Sequence, residues 1–318
     1  MTSAQLPLRR LGRTGMDVTA LCIGTSPLAS MARLYGYEVD ERRAIDTVLA
    51  AFDSPITFLD TSNGYGEDGT AEKRIGAAIR ERGGLPDRVV LATKVDPDPA
   101  TGDFSGARVR ASYAESLERL GVDRVPLLYL HDPERISFEQ AVADDGPVPA
   151  LVALREKGLV DHIGVAGGPT DVLSRYVDTG VFDVLLSHNR YTLLDRSARD
   201  LYESAAARGI GVVNAAPYGG GMLAKGPEVQ SSYAYGARDE RIAQAARAMK
   251  AACDRREVPL AAAALQFSMR APFIDSTVVG VSAPERVAQT VAYAQQEIPA
   301  DLWDELDSLA PPTDVWLG

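Results

Sequence analysis

Asp60, Lys94 and His131 each close a short apolar or β-branched run, in TFLD, VVLATK and LLYLH, where a buried strand does not ordinarily carry an ionisable group. Tyr65 follows Asp60 by five residues, in TSNGYG. Singly, each has an ordinary reading: a strand-terminal Asp caps a loop, a Lys reaches solvent, and a His is a satisfied core group. Together they form an acid-base device. A tyrosine with its usual pKa of about 10 is a poor base at neutral pH, but a nearby ammonium favours the phenolate. Lys94 supplies the ammonium, and Asp60 holds that cation charged and oriented where an unpaired charge is costly. His131 is then placed to donate a hydrogen bond to a substrate oxygen.

A metal is not expected to polarise that oxygen, because His131, His162 and His188 are the histidines of the chain and none lies in an H-E-x-x-H or comparable cluster. Proton transfer beside a developing alkoxide fits carbonyl reduction or alcohol oxidation. This chemistry needs a hydride carrier that side chains cannot provide. Gly64-Tyr65-Gly66-Glu67-Asp68-Gly69 matches G-x-G-x-x-G after a strand, yet Glu67 and Asp68 put carboxylates where a diphosphate should meet bare amides. Its glycines are read instead as freeing Tyr65 to project. Neither a G-x-x-x-x-G-K-[ST] loop nor a G-x-S-x-G elbow occurs.

The elements that must position these groups alternate short apolar runs with helical patterns. Eight runs read as strands: Leu21 to Ile23, Thr57 to Asp60, Val89 to Lys94, Leu127 to His131, His162 to Val165, Val184 to Ser187, Gly211 to Asn214, and Ser276 to Val281. Runs such as LLYL and DVLLS suit strands covered on both faces. Ala44 to Phe52 carries an apolar helical stripe. Another runs from Val109 to Leu120 and stops at Gly121, while Arg238 to Asp254 and Pro259 to Met269 also read as helices. Before the first strand, two short runs around Arg13-Thr14-Gly15 predict a hairpin that caps the bottom of the molecule.

Eight strand-helix units fit a closed (β/α)8 TIM barrel or a large doubly wound sheet, and the count favours the α/β barrel. No Pro- or Gly-rich linker divides the chain, so residues 1–318 are expected to form one barrel domain. Chemistry in such a barrel gathers at the carboxyl ends of the strands, where the long segments Gly24 to Asp40, Asp96 to Arg108, Asp132 to Pro149 and Ala215 to Ala237 follow.

Composition narrows the partners. Hydrophobic residues at 46% and charged residues at 24% describe an ordinary folded protein, and a formal charge of −11 opposes nucleic-acid binding. Cys22 and Cys253 make neither a disulfide framework nor a thiolate zinc site, which suggests the reducing cytoplasm. MTSAQLPLRR lacks a signal-peptide apolar core, and no run reaches the ~18 apolar residues of a membrane span. A soluble enzyme that reduces a carbonyl or oxidises an alcohol is expected.

The chain resembles the aldo-keto reductases. Their FDTA-x-x-YG is similar to FLDTSNGYG, their TKV to Thr93-Lys94-Val95, and their fourth-strand LH to Leu130-His131, over a likeness running from Leu8 to about Leu309. The resemblance implies a catalytic tetrad of Asp60, Tyr65, Lys94 and His131. The stretches HDPE, NRYTLLDRSA, PLAAAALQF and VVGVSAPERV look like the branch of L-fucose or D-threo-aldose 1-dehydrogenases and pyridoxal 4-dehydrogenases. It implies oxidation of a ring hemiacetal at C1 to a lactone, with NAD or NADP as acceptor and Tyr65 as base. NADPH-driven reduction of aldehydes or ketones, pyridoxal-type substrates included, is the same tetrad in reverse. A nicotinamide-binding barrel without turnover, or a sugar-phosphate barrel enzyme without nicotinamide, remain readings of other classes.

Further positions follow from the same likeness. The family's adenosine-phosphate segment corresponds to VVGVSAPERVAQT, where Pro284 and Arg286 match but Gly280, Val281, Gln289 and Thr290 replace a lysine, serine, glutamate and asparagine. Arg286 suits a 2′-phosphate, while the lost lysine and serine open the way to NAD. The Ser-Asn pair that holds the carboxamide becomes Ala166 and Gly167, the glutamine becomes His188, and the stacking tyrosine becomes Ala215. Thr25 is a further cofactor position. Gly219, Gly220 and Gly221 with Met222 and Leu223 resemble the pyrophosphate cradle, and also read as a flexible loop. Asp132, Arg190 and Tyr191 are candidate substrate-side groups.

Overall fold

The structure is a computed structural model that describes residues 6–234, 236 and 238–318; Met1 to Gln5 and the end of the expected long loop, Tyr235 and Ala237, lie outside the described residues. The strands are β1 (Leu8–Arg10), β2 (Asp17–Thr19), β3 (Leu21–Gly24), β4 (Phe58–Asp60), β5 (Val90–Val95), β6 (Val125–His131), β7 (Val160–Gly167), β8 (Val184–His188), β9 (Gly211–Ala215) and β10 (Ser276–Gly280). Strands β3 to β10 pair in parallel and close into a barrel, β10 returning to β3. All eight expected strands are present, five of them longer than their apolar runs, β5 shifted by one residue, and β4 and β10 one residue shorter. This is the (β/α)8 barrel with its amino-terminal hairpin.

The hairpin pairs Leu8 with Thr19 and Arg10 with Asp17, and turns through a 3-10 segment at Gly12–Thr14 with Gly15 left-handed. Leu11 is fully buried and joins Val18 beneath the barrel. The Arg9 guanidinium donates to the carbonyls of Ile274 at 2.5 Å and Met269 at 2.6 Å, and Gly12 N–H donates to Asp275 at 3.1 Å. These bonds satisfy carbonyls and amides at the amino ends of the strands, which would otherwise be buried without partners.

Outside the barrel, helices cover the sheet. Glu41–Asp53 extends the predicted stripe, with the Asp40 side chain accepting from Arg43 N–H at 2.9 Å as its amino cap. Gly106–Leu120 ends on Gly121 at φ 67°, the left-handed stop expected of it. Glu240–Asp254 starts two residues later than its pattern, because Asp239 caps it, and Pro259 precedes Leu260–Met269 as its cap rather than entering the first turn. No helix is long and apolar enough to cross a membrane among the described residues.

The two-residue repeat of each strand decides what lines the interior. Leu91, Thr93 and Val95 of β5 face the helices, while Ala92 and Lys94 face inward; Leu127, Tyr129 and His131 of β6 do the same. The Tyr129 ring fills the middle of the barrel. It fits only because Gly164 has no side chain, since a Cβ there would lie 2.4 Å from the ring. Above this apolar floor, the last inward positions of β4, β5, β6 and β8 are Asp60, Lys94, His131 and His188.

Candidate functional site

At the carboxyl rim, the Lys94 ammonium donates to Asp60 Oδ2 at 2.7 Å, to the Thr61 carbonyl at 2.6 Å and to the Tyr65 hydroxyl at 3.1 Å. The lysine side chain is 1% exposed and the aspartate 5%, so the pair sits in a medium where either charge alone would be expensive. Burial pushes the Asp60 carboxyl up, against the pull of Lys94. Its other oxygen, Oδ1, has no partner among the described residues. The Lys94 Nζ also lies 4.7 Å from the Tyr65 ring centroid, and the His131 ring meets that of Tyr65 edge-on at 5.6 Å.

The loop that carries Tyr65 is tied to the barrel in sequence order. Thr61 N–H donates to Ala92 O at 2.9 Å and Asn63 N–H to Lys94 O at 3.2 Å, continuing the strand ladder past the end of β4. Asn63 is buried and its amide donates to Ser112 O of the helix Gly106–Leu120 at 3.1 Å. Gly66 then turns the chain at φ 85°. In this way G-x-G-x-x-G serves a tyrosine, as the two carboxylates in it suggested.

Asp96 was missed by sequence reasoning. Its buried carboxylate lies 2.7 Å from His131 Nδ1 and accepts Gly64 N–H at 2.8 Å and the Ser62 hydroxyl. Burial alone would raise its pKa, but His131, Ser62 and Gly64 together hold it down at about 2. Burial would likewise lower His131, yet Asp96 and then Asp132 outweigh it and raise the imidazole. A signal existed: Asp96 stands two residues beyond Lys94, and the period of a strand puts both on one side.

Of the candidate substrate-side groups, Asp132 and Arg190 stand at this rim. Asp132 has φ 44°, its Oδ1 lies 3.6 Å from His131 Nε2, and its Oδ2 accepts from Arg135 at 2.8 Å. Arg190 donates to His188 O at 3.3 Å and to Gly318 O at 2.5 Å. Tyr191 does not belong with them. It is 8% exposed and stacks on Phe267 at 5.1 Å, with Phe273 edge-on at 5.3 Å, in the apolar layer outside the barrel. The chain turns at Asn189, φ 62°, which sends the following aromatic residue into the core.

The candidate cofactor positions form two groups. Gly219, Gly220 and Gly221 have successive φ of 56°, 69° and 101°; Gly219 is packed beneath the Tyr233 ring, where a Cβ would lie 2.1 Å away, and Gly220 and Gly221 are half-buried. The amides of Gly219, Gly221 and Leu223 donate within the loop, to Ala216, Tyr218 and Tyr218 respectively, and Leu223 is buried. Gly280, Arg286 and Gln289 lie toward the surface at the start of the helix Pro284–Gln295, with Arg286 donating to Gln289 Oε1 at 2.6 Å. Val281 and Thr290 turn inward, and the Thr290 hydroxyl donates to Arg286 O at 2.7 Å. Thr25 is buried and its hydroxyl donates to Asp60 O at 3.0 Å, which fixes β4 rather than reaching outward. His188 is pushed down to about 4 by burial and is therefore neutral; its Nδ1 lies 3.1 Å from the Asn189 amide. Ala166 and Gly167 offer no side-chain partner for a carboxamide, and Ala215 no ring to stack.

Residues 20–311 match the Aldo/keto reductase family. The chain belongs to it. It is 35% identical to D-threo-aldose 1-dehydrogenase of Pseudomonas sp., over 92% of this chain and 94% of that protein. It is also 35% identical to L-galactose dehydrogenase of Arabidopsis thaliana, over 91% of this chain and 88% of that protein. Among solved structures, the holo form of an aldo-keto reductase from Bacillus halodurans superposes with a TM-score of 0.80 over 98% of this chain and 99% of that one. At 21% identity this last likeness speaks for the fold. As an aldo-keto reductase, the protein is an NAD(P)-dependent oxidoreductase. The half-buried glycine backbone at Gly220 and Gly221 and the exposed cation of Arg286 fit a dinucleotide.

Proposed function

We propose that this aldo-keto reductase oxidises an aldose, of the L-fucose or D-threo type, at its anomeric hydroxyl to give the lactone. The observation that carries the reading is the 3.1 Å contact between the Tyr65 hydroxyl and the Lys94 ammonium, itself locked to Asp60. A bound nicotinamide would supply the acceptor for the hydride that leaves C1. The chain's own groups handle the proton. Lys94 stabilises the phenolate of Tyr65, which takes the hydroxyl proton at its oxygen, and Asp60 keeps the ammonium in place. His131 holds the reacting oxygen.

Rim groups support a polyhydroxylated substrate. Asp132 accepts hydrogen bonds, Arg190 donates them, and neutral His188, whose Nδ1 accepts from the Asn189 amide, donates from Nε2, so several ring hydroxyls are matched without burying an unpaired charge. The names of the two relatives, a D-threo-aldose and an L-galactose dehydrogenase, point to the same class. Gly219, Gly221, Leu223, Gly280, Val281, Arg286, Gln289 and Thr290 would hold the dinucleotide, with Thr25 and His188 near its nicotinamide end. NAD and NADP both fit, Arg286 being the group placed for a 2′-phosphate.

The test is a panel of aldoses, L-fucose included, against each oxidised dinucleotide, with aldehydes and pyridoxal against each reduced one. Lactone formation from an aldose should exceed aldehyde reduction in kcat/KM. Faster reduction of simple aldehydes would reverse the assignment.

A further inference from the structure

We propose that Asp96 is a positioning residue of the reaction: its carboxylate claims the Nδ1 proton of His131, so that Nε2 alone faces the reacting oxygen, as an acceptor in the neutral ring and a donor in the doubly protonated one. The inference rests on the reaction assigned above but concerns the imidazole itself.

Three features carry it. First, Asp96 is committed as an acceptor. Ser62 and the Gly64 amide already donate to its Oδ2, leaving Oδ1 at 2.7 Å from Nδ1. A carboxylate so engaged takes a proton from Nδ1 rather than giving one, which fixes the tautomer. Second, the site is built for that carboxylate. A Cβ at Gly64 would lie 2.6 Å from the Asp96 carboxyl carbon, so the glycine admits it, and Ser112 Oγ accepts the Asp96 N–H at 3.1 Å. Third, Nε2 is directed at the mouth, where Asp132 Oδ1 is 3.6 Å away.

In the neutral ring this tautomer leaves a lone pair on Nε2. Such a ring offers only an acceptor and competes with Tyr65 for the single proton of the reacting hydroxyl. The doubly protonated ring donates to the reacting oxygen, hydroxyl or carbonyl, and leaves the hydroxyl proton to Tyr65. The proton on Nε2 therefore decides whether His131 holds the reacting oxygen or competes for its proton.

Every charged neighbour bears on that proton. Asp60 and Tyr65 face the ring from β4 and its loop, and Lys94 and Asp96 from β5. Asp132 and Glu134 face it from the end of β6, and His188 from β8. Asp96, Asp132 and Lys94 act directly on its titration, the two carboxylates favouring the charged ring and Lys94 opposing it.

Nitrogen-15 NMR of the imidazole rings tests this without turnover. His131→Gln assigns the signals among the three histidines. In the native protein Nδ1 should stay protonated throughout, and Nε2 should lose its proton with an apparent pKa above 6.5. In Asp96→Asn that pKa should fall by about one pH unit or more, and the alkaline limb of log kcat/KM should move with it. A neutral native ring carrying its proton on Nε2 overturns the proposal even if the variant fails to fold. An unchanged titration in a folded Asp96→Asn protein overturns it as well. If no aldose is oxidised, the ring spectra still decide the tautomer, so failure of the assigned reaction is told apart from failure of this inference.

Discussion

The Lys94 ammonium and the Tyr65 hydroxyl lie 3.1 Å apart although 29 residues separate them in the chain. Two adjacent parallel strands close that distance, β4 ending at Asp60 and β5 carrying Lys94 two residues past Ala92, the register partner of Asp60. The loop between Asp60 and Tyr65 only has to fold back over the strand end. Cation and phenol meet because barrel geometry brings successive strand ends to one mouth.

From this contact follows the first kinetic expectation. Tyr65→Phe removes the hydroxyl and leaves the ring, so turnover should fall by about 10²- to 10⁴-fold, the usual range for losing a proton-transfer group. Dinucleotide affinity, read by fluorescence titration, should change little. Native turnover in this variant would refute the role of the phenol.

Lys94→Met leaves Asp60 buried without its cation. Removing one partner of such a pair costs about 3–5 kcal/mol, and urea denaturation at neutral pH should show a loss of that order. Burial raises the folded-state pKa of the stranded carboxyl, so its penalty is absent below the unfolded pKa of about 4 and grows as pH rises. A loss that is equal at pH 4 and pH 8 would contradict this account.

Asp96 and His131 make a second pH-dependent pair, with opposite signs on its two members. The depressed carboxyl contributes stability above its unfolded pKa near 4 and loses it as pH falls toward about 2. The raised imidazole contributes fully below 6.5 and loses it as pH climbs through its higher folded value. These describe one interaction, worth roughly 2 kcal/mol from the carboxyl side. The Tm gap between the native protein and Asp96→Asn should accordingly be widest from about pH 4 to 6.5 and narrow above pH 8, as calorimetry can measure. A gap that widens into alkali would argue otherwise.

Arg286 is exposed and, among the described residues, its guanidinium is hydrogen-bonded to a neutral amide, Gln289, so it is available to a phosphate. Arg286→Ala should weaken NADP binding by about 10- to 100-fold, the worth of one or two charge-assisted hydrogen bonds, and leave NAD nearly untouched. Equal losses for both dinucleotides would place the guanidinium elsewhere than at the 2′-phosphate.

Much of the barrel was legible because each strand is covered on both faces and so reads as an apolar run, and because Asp60, Lys94 and His131 interrupt such runs at their ends. Asp96 was hidden by its position. One residue outside β5 and followed by proline, it opens what reads as a loop, and only the pleat of the strand shows that it faces the same way as Lys94. Tyr191 misled for the opposite reason: its place after β8 suggests the mouth, but the left-handed turn at Asn189 buries it against Phe267.

Residue types and their spacing along the chain settled the architecture and the kind of chemistry, since strand period, helix stripe and the pKa of a side chain are local properties. Which groups touch was decided by closure of the sheet. Closure sets the height at which Asp60, Lys94 and His131 meet beside Tyr65, turning four ordinary side chains into an ion pair, a bound phenol and an imidazole with one nitrogen engaged. The partner of that nitrogen, Asp96, follows the end of a different strand, and no pattern within one segment can express a distance between two.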